Sequence, residues 1–314
     1  MFRMKILDID NNFNLVEMHE ITDERKYWIW CYVDELEDIK TIFSIRKDNV
    51  EDCKEFNKST KIEYYEEYIF VVFNILEYYD EGVHSRELYI FLNNNFIITA
   101  FKEDLDLLNN LLTDISSYKN CSMLKENPST TIIFYYIIDR IIVKNYNVIS
   151  IIEEEGDKIE LRILKNPKHE LLVQLIHLRR QLYKLRKYLN PLRYIGDTLQ
   201  NDNSIIEKKY IKHFQGLNNK IDKLMLSLES LYGDIALVRE AYEAEIANKT
   251  NDLMKIFTII ATIFLPLNLI TSIYGMNVKK IPFSEHEYGY YLVVIFMVLT
   301  SVLLIRFFKN KNWF

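Results

Sequence analysis

Two stretches near the C-terminus, 256–278 and 288–305, contain no charged residue. A helix needs about 20 predominantly apolar residues, at a rise of 1.5 Å each, to cross the hydrocarbon core of a bilayer. Uncharged runs of this length are uncommon in soluble chains. The sequence therefore predicts a membrane hairpin rather than a buried helical pair inside a large soluble core. Only residues 279–287 separate the two stretches, so both outer ends lie on one side. Arg306, Lys309 and Lys311 follow the second stretch and place that side in the cytoplasm by the positive-inside rule. Lys279 and Lys280 in the short loop are offset by Glu285 and Glu287, and Tyr288, Tyr290, Tyr291 and Trp313 suit the two interfaces. Residues 1–252 are strongly charged and show no secretory pattern at their start, which argues the same way. The expected location is the plasma membrane, multi-pass, with both termini cytoplasmic.

Charge is unevenly divided. Residues 253–314 hold six basic and two acidic side chains, a net of +4, which leaves −10 on residues 1–252 from the whole-chain −6. An acidic front part lacks the basic patch of a nucleic-acid binder, and 49% hydrophobic residues exclude a disordered chain. Cys31, Cys53 and Cys121 form no CxxC pair and read as ordinary thiols of a reducing compartment. The six histidines show neither HxxxH nor HExxH spacing, and there is no GxxxxGK[ST] loop for ATP. No nucleophile–base pair stands out. The chain is expected to be neither an enzyme nor dependent on a resident cofactor.

Residues 27–33, 68–76 and 88–101 are rich in aromatic and β-branched types and read as strands, the last divided by a turn at Asn93-Asn94-Asn95. Residues 35–44 and 105–118 have helical apolar spacing, so 1–125 is an α/β domain. After Pro128 the pattern is helical over 132–155 and 171–199, within a helical region 126–204. From 205 a helical pattern runs about 69 residues, roughly 100 Å if continuous. It divides into a stalk, 205–252, and a first membrane span, 253–277. An outer loop 278–287, a second span 288–308 and a basic tail 309–314 complete the chain.

Asn251, Met254, Thr258, Ala261, Leu265, Asn268 and Ser272 recur at heptad-like spacing and share one helix face. A face that alternates amide or hydroxyl groups with apolar ones fits a pore lining. It fits equally a helix–helix contact held by Ser, Thr and Asn. Two spans cannot enclose water, so a pore requires an oligomer.

The first span ends in Tyr274-Gly275-Met276-Asn277, after Asn251, Met254-Lys255 and Phe264-Leu265-Pro266-Leu267, and the chain closes on Lys309, Lys311, Trp313 and Phe314. In this setting the chain resembles the CorA family of magnesium channels. Glu51-Asp52, 61–65, 87–91, 95–99, Asp139, Leu185-Arg186 and Pro191-Leu192-Arg193 follow the order of that family's cytoplasmic domain. The resemblance implies a homopentamer with a funnel-shaped cytoplasmic domain, whose long stalk helix continues as the pore-lining span. It implies a selectivity ring of Gly275, Met276 and Asn277, with the Asn277 carbonyls meeting hydrated Mg2+. Asn251 and Asn268 become polar rings, and Leu265 and Met254, with Phe257 alongside, apolar constrictions. The resemblance implies that Mg2+ enters passively, as both transported and regulatory ion, with Co2+ or Ni2+ as further passengers.

The family senses cytoplasmic Mg2+ through carboxylates between subunits, and Asp52 matches one such ligand. Its expected acidic counterpart falls on Gly216, between Gln215 and Leu217, so that pair is broken; Glu51 or Glu55 are substitutes. Asn268 stands where many relatives have Thr, and Phe283 where the loop usually has Glu. Two alternatives stand beside this reading. One is a proton-coupled zinc or cobalt/nickel transporter of the same superfamily, against which stand Met276 and the lack of Asp, Glu or His within the spans. The other is a membrane-anchored scaffold or sensor.

Overall fold

A computed structural model of the chain describes residues 4–55, 58–117, 119–201, 206–277, 281–282, 287–311 and 313. The strands are β1 (Lys5–Asp8), β2 (Asn14–Val16), β3 (Tyr27–Tyr32), β4 (Lys61–Tyr64), β5 (Ile69–Tyr79), β6 (Gly82–Leu92) and β7 (Phe96–Phe101). They form one sheet in the order β2-β1-β3-β7-β6-β5-β4. β3 and β7 pair in parallel, Tyr27 opposite Phe96; the other neighbours are antiparallel. The helices are α1 (Leu36–Ile39), α2 (Lys47–Lys54), α3 (Asp106–Ser116), α4 (Ser122–Glu126), α5 (Thr130–Lys165), α6 (His169–Leu199), α7 (Ile211–Tyr274) and α8 (Gly289–Asn310).

The sequence of β5 is apolar almost without a break because both faces of the sheet are covered. Alternate residues point opposite ways. Phe70 and Val72 join a buried cluster with Leu36 and Ile39 of α1 and Val50 and Cys53 of α2, whereas Phe73 meets Phe134 of α5 at 6.2 Å between ring centroids. The turn at Asn93–Asn95 is as expected, closed by the Asn93 N–H donating to the Phe96 carbonyl at 2.8 Å. Asp80 and Glu81, both left-handed, form the two-residue turn between β5 and β6.

β4 pairs with β5 only as far as Val72. Beyond it, Asn145 of α5 takes over the edge: its Oδ1 accepts the Leu76 N–H at 2.9 Å and its Nδ2 donates to the Asn74 carbonyl at 3.4 Å. Asn145 is buried, at 1% exposure. Asn145→Leu strands a buried N–H, so a loss of about 1–3 kcal/mol is expected, seen as a lower Tm by the fluorescence of Trp28 and Trp30.

The residues divide into two compact units, Met1–Arg162 with Lys168–Arg239, and Ile163–Pro167 with Glu240–Phe314. In the first, α6 and α7 approach closely at Gly196, where a Cβ would collide with Asn218 Oδ1 and lie 2.8 Å from Ile221 Cδ1. Among the described residues, nothing lies within 4 Å of such a Cβ at Gly216 or Gly233 on α7. In the second, the apolar stretches of α7 and α8 are only 6% buried. Ile256, Phe264, Leu265, Leu269, Phe296 and Leu303 all lie open. An apolar surface of that extent cannot face water, so a bilayer or further copies must cover it. The hairpin is thus not buried within the chain's own core.

Two expectations change. The apolar spacing over 35–44 is real, since Leu36, Ile39 and Phe43 are all buried. The helix nevertheless stops at Ile39, because the Ile45 N–H bonds to the Lys40 carbonyl at 2.8 Å and Ser44 turns left-handed at φ 51°. The long helix starts at Ile211, after a single 3-10 turn over Lys208–Tyr210, rather than at 205.

Candidate functional site

Every residue of the predicted seam lies on α7: Asn251, Met254, Thr258, Ala261, Leu265, Asn268 and Ser272, with Phe257 beside them, are exposed in the isolated chain. The shielded positions of the same stretch are Ile259, Ile263, Pro266, Leu267, Ile270 and Tyr274. At 100° per residue the shielded stripe lies about 160° around the helix from the seam. α8 has its own shielded stripe at Val293, Met297, Ser301, Leu304 and Phe308. The polar seam is therefore not what the hairpin buries. It points away, toward whatever an oligomer or lipid presents.

Within the seam, Thr258 Oγ1 donates to the Met254 carbonyl at 2.7 Å. A hydroxyl whose proton is given to its own helix presents only lone pairs outward, as a cation or its water shell requires. Pro266, inside α7, removes the N–H that would pair with the Thr262 carbonyl. Thr262 is exposed and about 70° from the seam, which adds a backbone acceptor. Sequence reading passed over it, although Pro266 was the available signal.

α7 ends at Tyr274. The Gly275 N–H closes on the Thr271 carbonyl at 2.9 Å and the Met276 N–H on the Ile273 carbonyl at 3.3 Å. A Cβ on Gly275 would sit 3.2 Å from the Thr271 oxygen, so close backbone approach rather than a left-handed φ favours glycine here. Met276, at 56% exposure, and Asn277 follow in the open. Tyr274 Oη donates to the Pro282 carbonyl at 3.0 Å and ties the helix end to the loop. Lys279, Lys280, Phe283 and Glu285 lie outside the described residues.

Asp52 sits on α2, far along the sequence from this seam, and it is not a bare surface acid. Lys58 Nζ donates to its Oδ1 at 2.9 Å and Lys61 Nζ to its Oδ2 at 2.6 Å. Burial raises its pKa, but the hydrogen bonds from Lys61 and Lys58 outweigh that and hold the carboxyl below its ordinary value. Among the described residues no group of three His, Cys, Asp or Glu is arranged to hold a metal.

A family model described as CorA-like Mg2+ transporter protein matches residues 23–310. The chain belongs to the CorA family. It is 28% identical over 284 residues to the cobalt/magnesium transport protein CorA of Thermotoga maritima, covering 89% of this chain and 80% of that protein. The complete structure of the CorA magnesium transporter from Methanocaldococcus jannaschii superposes with a TM-score of 0.85 at 20% identity, over 100% of this chain and 99% of the other. The cytoplasmic domain of ZntB from Vibrio parahaemolyticus shares the fold at a TM-score of 0.66 and 12% identity, over 79% of this chain and 100% of that domain. Members of the CorA family are membrane transporters of divalent cations, not enzymes, and the two C-terminal apolar helices fit that place.

Proposed function

We propose that the chain is one subunit of a homopentameric channel admitting Mg2+ passively into the cytoplasm, with both termini on the cytoplasmic side. The observation that carries the reading is the polar seam of α7, set about 160° from the shielded stripe and ending at Gly275-Met276-Asn277. Copies arranged around an axis turn each seam position into a ring. Mg2+ sheds water reluctantly, so a ring of Asn277 carbonyls engages the hydrated ion through its water shell. Gly275 lets backbone oxygens come near, and Met276 packs to hold the ring's shape. Asn251 and Asn268 supply polar rings further along; Leu265 and Met254 form apolar constrictions that dewet when closed.

A membrane potential of about 100 mV, inside negative, gives a divalent cation about 4.6 kcal/mol on entry, so no ATP is required. The printed names of relatives, one of them a cobalt/magnesium transport protein, support Co2+ as a second passenger. Cytoplasmic divalent ions gate the channel. The zinc-linked reading has the ZntB fold in its favour. It lacks an Asp, Glu or His within 256–278 or 288–305 to relay a proton.

The deciding measurement is Mg2+ uptake by proteoliposomes. Uptake is expected to rise with inside-negative potential and to ignore a pH gradient. Uptake that follows the pH gradient, or prefers Zn2+, moves the chain to the coupled branch. No flux of any divalent ion leaves a tethered scaffold.

A further inference from the structure

Around Asp52 the charges alternate in a chain: Glu55, Lys58, Asp52, Lys61, Glu63. Lys58 Nζ lies 2.8 Å from Glu55 Oε2 and 2.9 Å from Asp52 Oδ1; Lys61 Nζ lies 2.6 Å from Asp52 Oδ2 and 2.7 Å from Glu63 Oε1. Each ammonium bridges two carboxylates, and Asp52 is the shared middle. Both of its oxygens are engaged.

The lysines are themselves held in place. The Lys58 N–H donates to Glu87 Oε1 at 2.7 Å, and Glu87 Oε2 in turn accepts from Lys102 at 2.8 Å and from Tyr89 Oη at 2.7 Å. Lys61, on β4, lies 5.2 Å from the centre of the Phe70 ring. The side chains of Asp52, Lys58 and Lys61 are 28%, 23% and 29% exposed, so the group is screened less than an ordinary surface pair. Burial lowers the pKa of Lys61, but its bonds to Asp52 and Glu63 more than restore it; Glu55 and then Asp52 raise that of Lys58. Both ammonium groups are therefore charged at neutral pH. Because the Asp52 pKa is depressed, its contribution to stability is full above the ordinary carboxylate range and fades only as pH falls through the lowered value.

We infer that Lys58 and Lys61 act as a built-in dication that takes the place of a divalent metal ion at Asp52, so that this acid is a structural anchor and not an ion-sensing ligand. Two ammonium groups bring the charge of one Mg2+ to the three carboxylates of Glu55, Asp52 and Glu63. They bring it at hydrogen-bond distance, without the near-octahedral oxygen shell that Mg2+ demands. The absence of an acid at Gly216 fits: with Asp52 already satisfied inside its own chain, a second carboxylate there has no ion to share. This deepens the transport reading by removing one position from its regulation, and any cytoplasmic Mg2+ response must run through other groups.

The test uses the full chain in detergent micelles and follows Tm by the fluorescence of Trp28 and Trp30, with EDTA or with millimolar Mg2+. Asp52→Asn is expected to leave the Mg2+-induced change in Tm equal to that of the native chain within about 1 °C, whether that change is large or zero. Lys58→Met with Lys61→Met frees three carboxylates to meet a real ion. That variant should be destabilised in EDTA and recover by about 4 °C or more in Mg2+. Lys58→Arg with Lys61→Arg, which keeps the charge, should show no such recovery. An Mg2+ response of the native chain that disappears in Asp52→Asn overturns the inference, as does a folded double-Met variant indifferent to Mg2+. Should the double-Met variant not fold, the Asp52→Asn comparison decides alone. None of these readings needs ion flux, so a chain that fails to carry Mg2+ in proteoliposomes sinks the transport proposal without touching this one.

Discussion

Replacing Asn277 by alanine is expected to abolish potential-driven Mg2+ uptake while leaving the protein folded and assembled. Asn277 follows α7 as an exposed residue, so truncating it opens no cavity in the packed parts of the chain. What is lost is a ring of amide carbonyls facing the water shell of the ion. If three members of that ring each contribute about 1 kcal/mol to holding the hydrated cation, their loss costs about 3 kcal/mol, more than a hundredfold in occupancy. Asn277→Asp is the instructive partner: it keeps size and adds charge, so cation entry persists with weaker discrimination against monovalent ions. Uptake of a fluorescent-indicator-loaded proteoliposome, read with Mg2+ and with Na+ as counter-tests, measures both. Native-level Mg2+ flux in Asn277→Ala would remove the selectivity ring from the mechanism.

The second large effect concerns the seam below that ring. Asn251→Leu, Thr258→Leu and Asn268→Leu made together convert its polar rungs to apolar ones. All three positions are open in the single chain, so packing within each hairpin should be retained and Tm should change little. A pathway lined only by apolar groups dewets, and a divalent ion cannot shed its shell there. Flux is expected to fall below detection while the oligomer seen by size-exclusion chromatography persists. A scaffold that uses the hairpin merely as a tether would be indifferent to this triple change. Unaltered flux would mean that the seam is a contact between copies and that ions pass elsewhere.

Much of this architecture is written in short-range patterns. The two spans are legible because charge is missing over a length that few soluble helices tolerate, and the β6–β7 turn because three asparagines interrupt a β-branched run. The heptad-like seam is equally visible, but its direction is not. Periodicity defines a face without saying whether a neighbour covers it, and only the shielded stripe of Ile259, Ile263, Leu267 and Ile270 resolved that. Short strands escaped as well: β1, β2 and β4 span three or four residues each, too few to display a period. Missing β4 had a chemical cost. Lys61 is nine positions from Asp52, and no local rule brings a loop lysine and a strand lysine onto one helical carboxylate. Asp52 thus reads from sequence as an acid awaiting an ion, and from structure as one already answered.

Gly216 gives this a wider meaning. A Cβ there would have no described atom within 4 Å, and the helix around it gains about 0.3–1 kcal/mol of propensity from replacements other than proline. The position is thus neutral ground for the protomer's fold, where an acid can come or go under drift without folding acting as a filter. Lineages sharing this scaffold can acquire or shed a regulatory carboxylate at such a site in a single codon change. The architecture of the transporter and its response to the ion it carries are free to evolve on separate clocks.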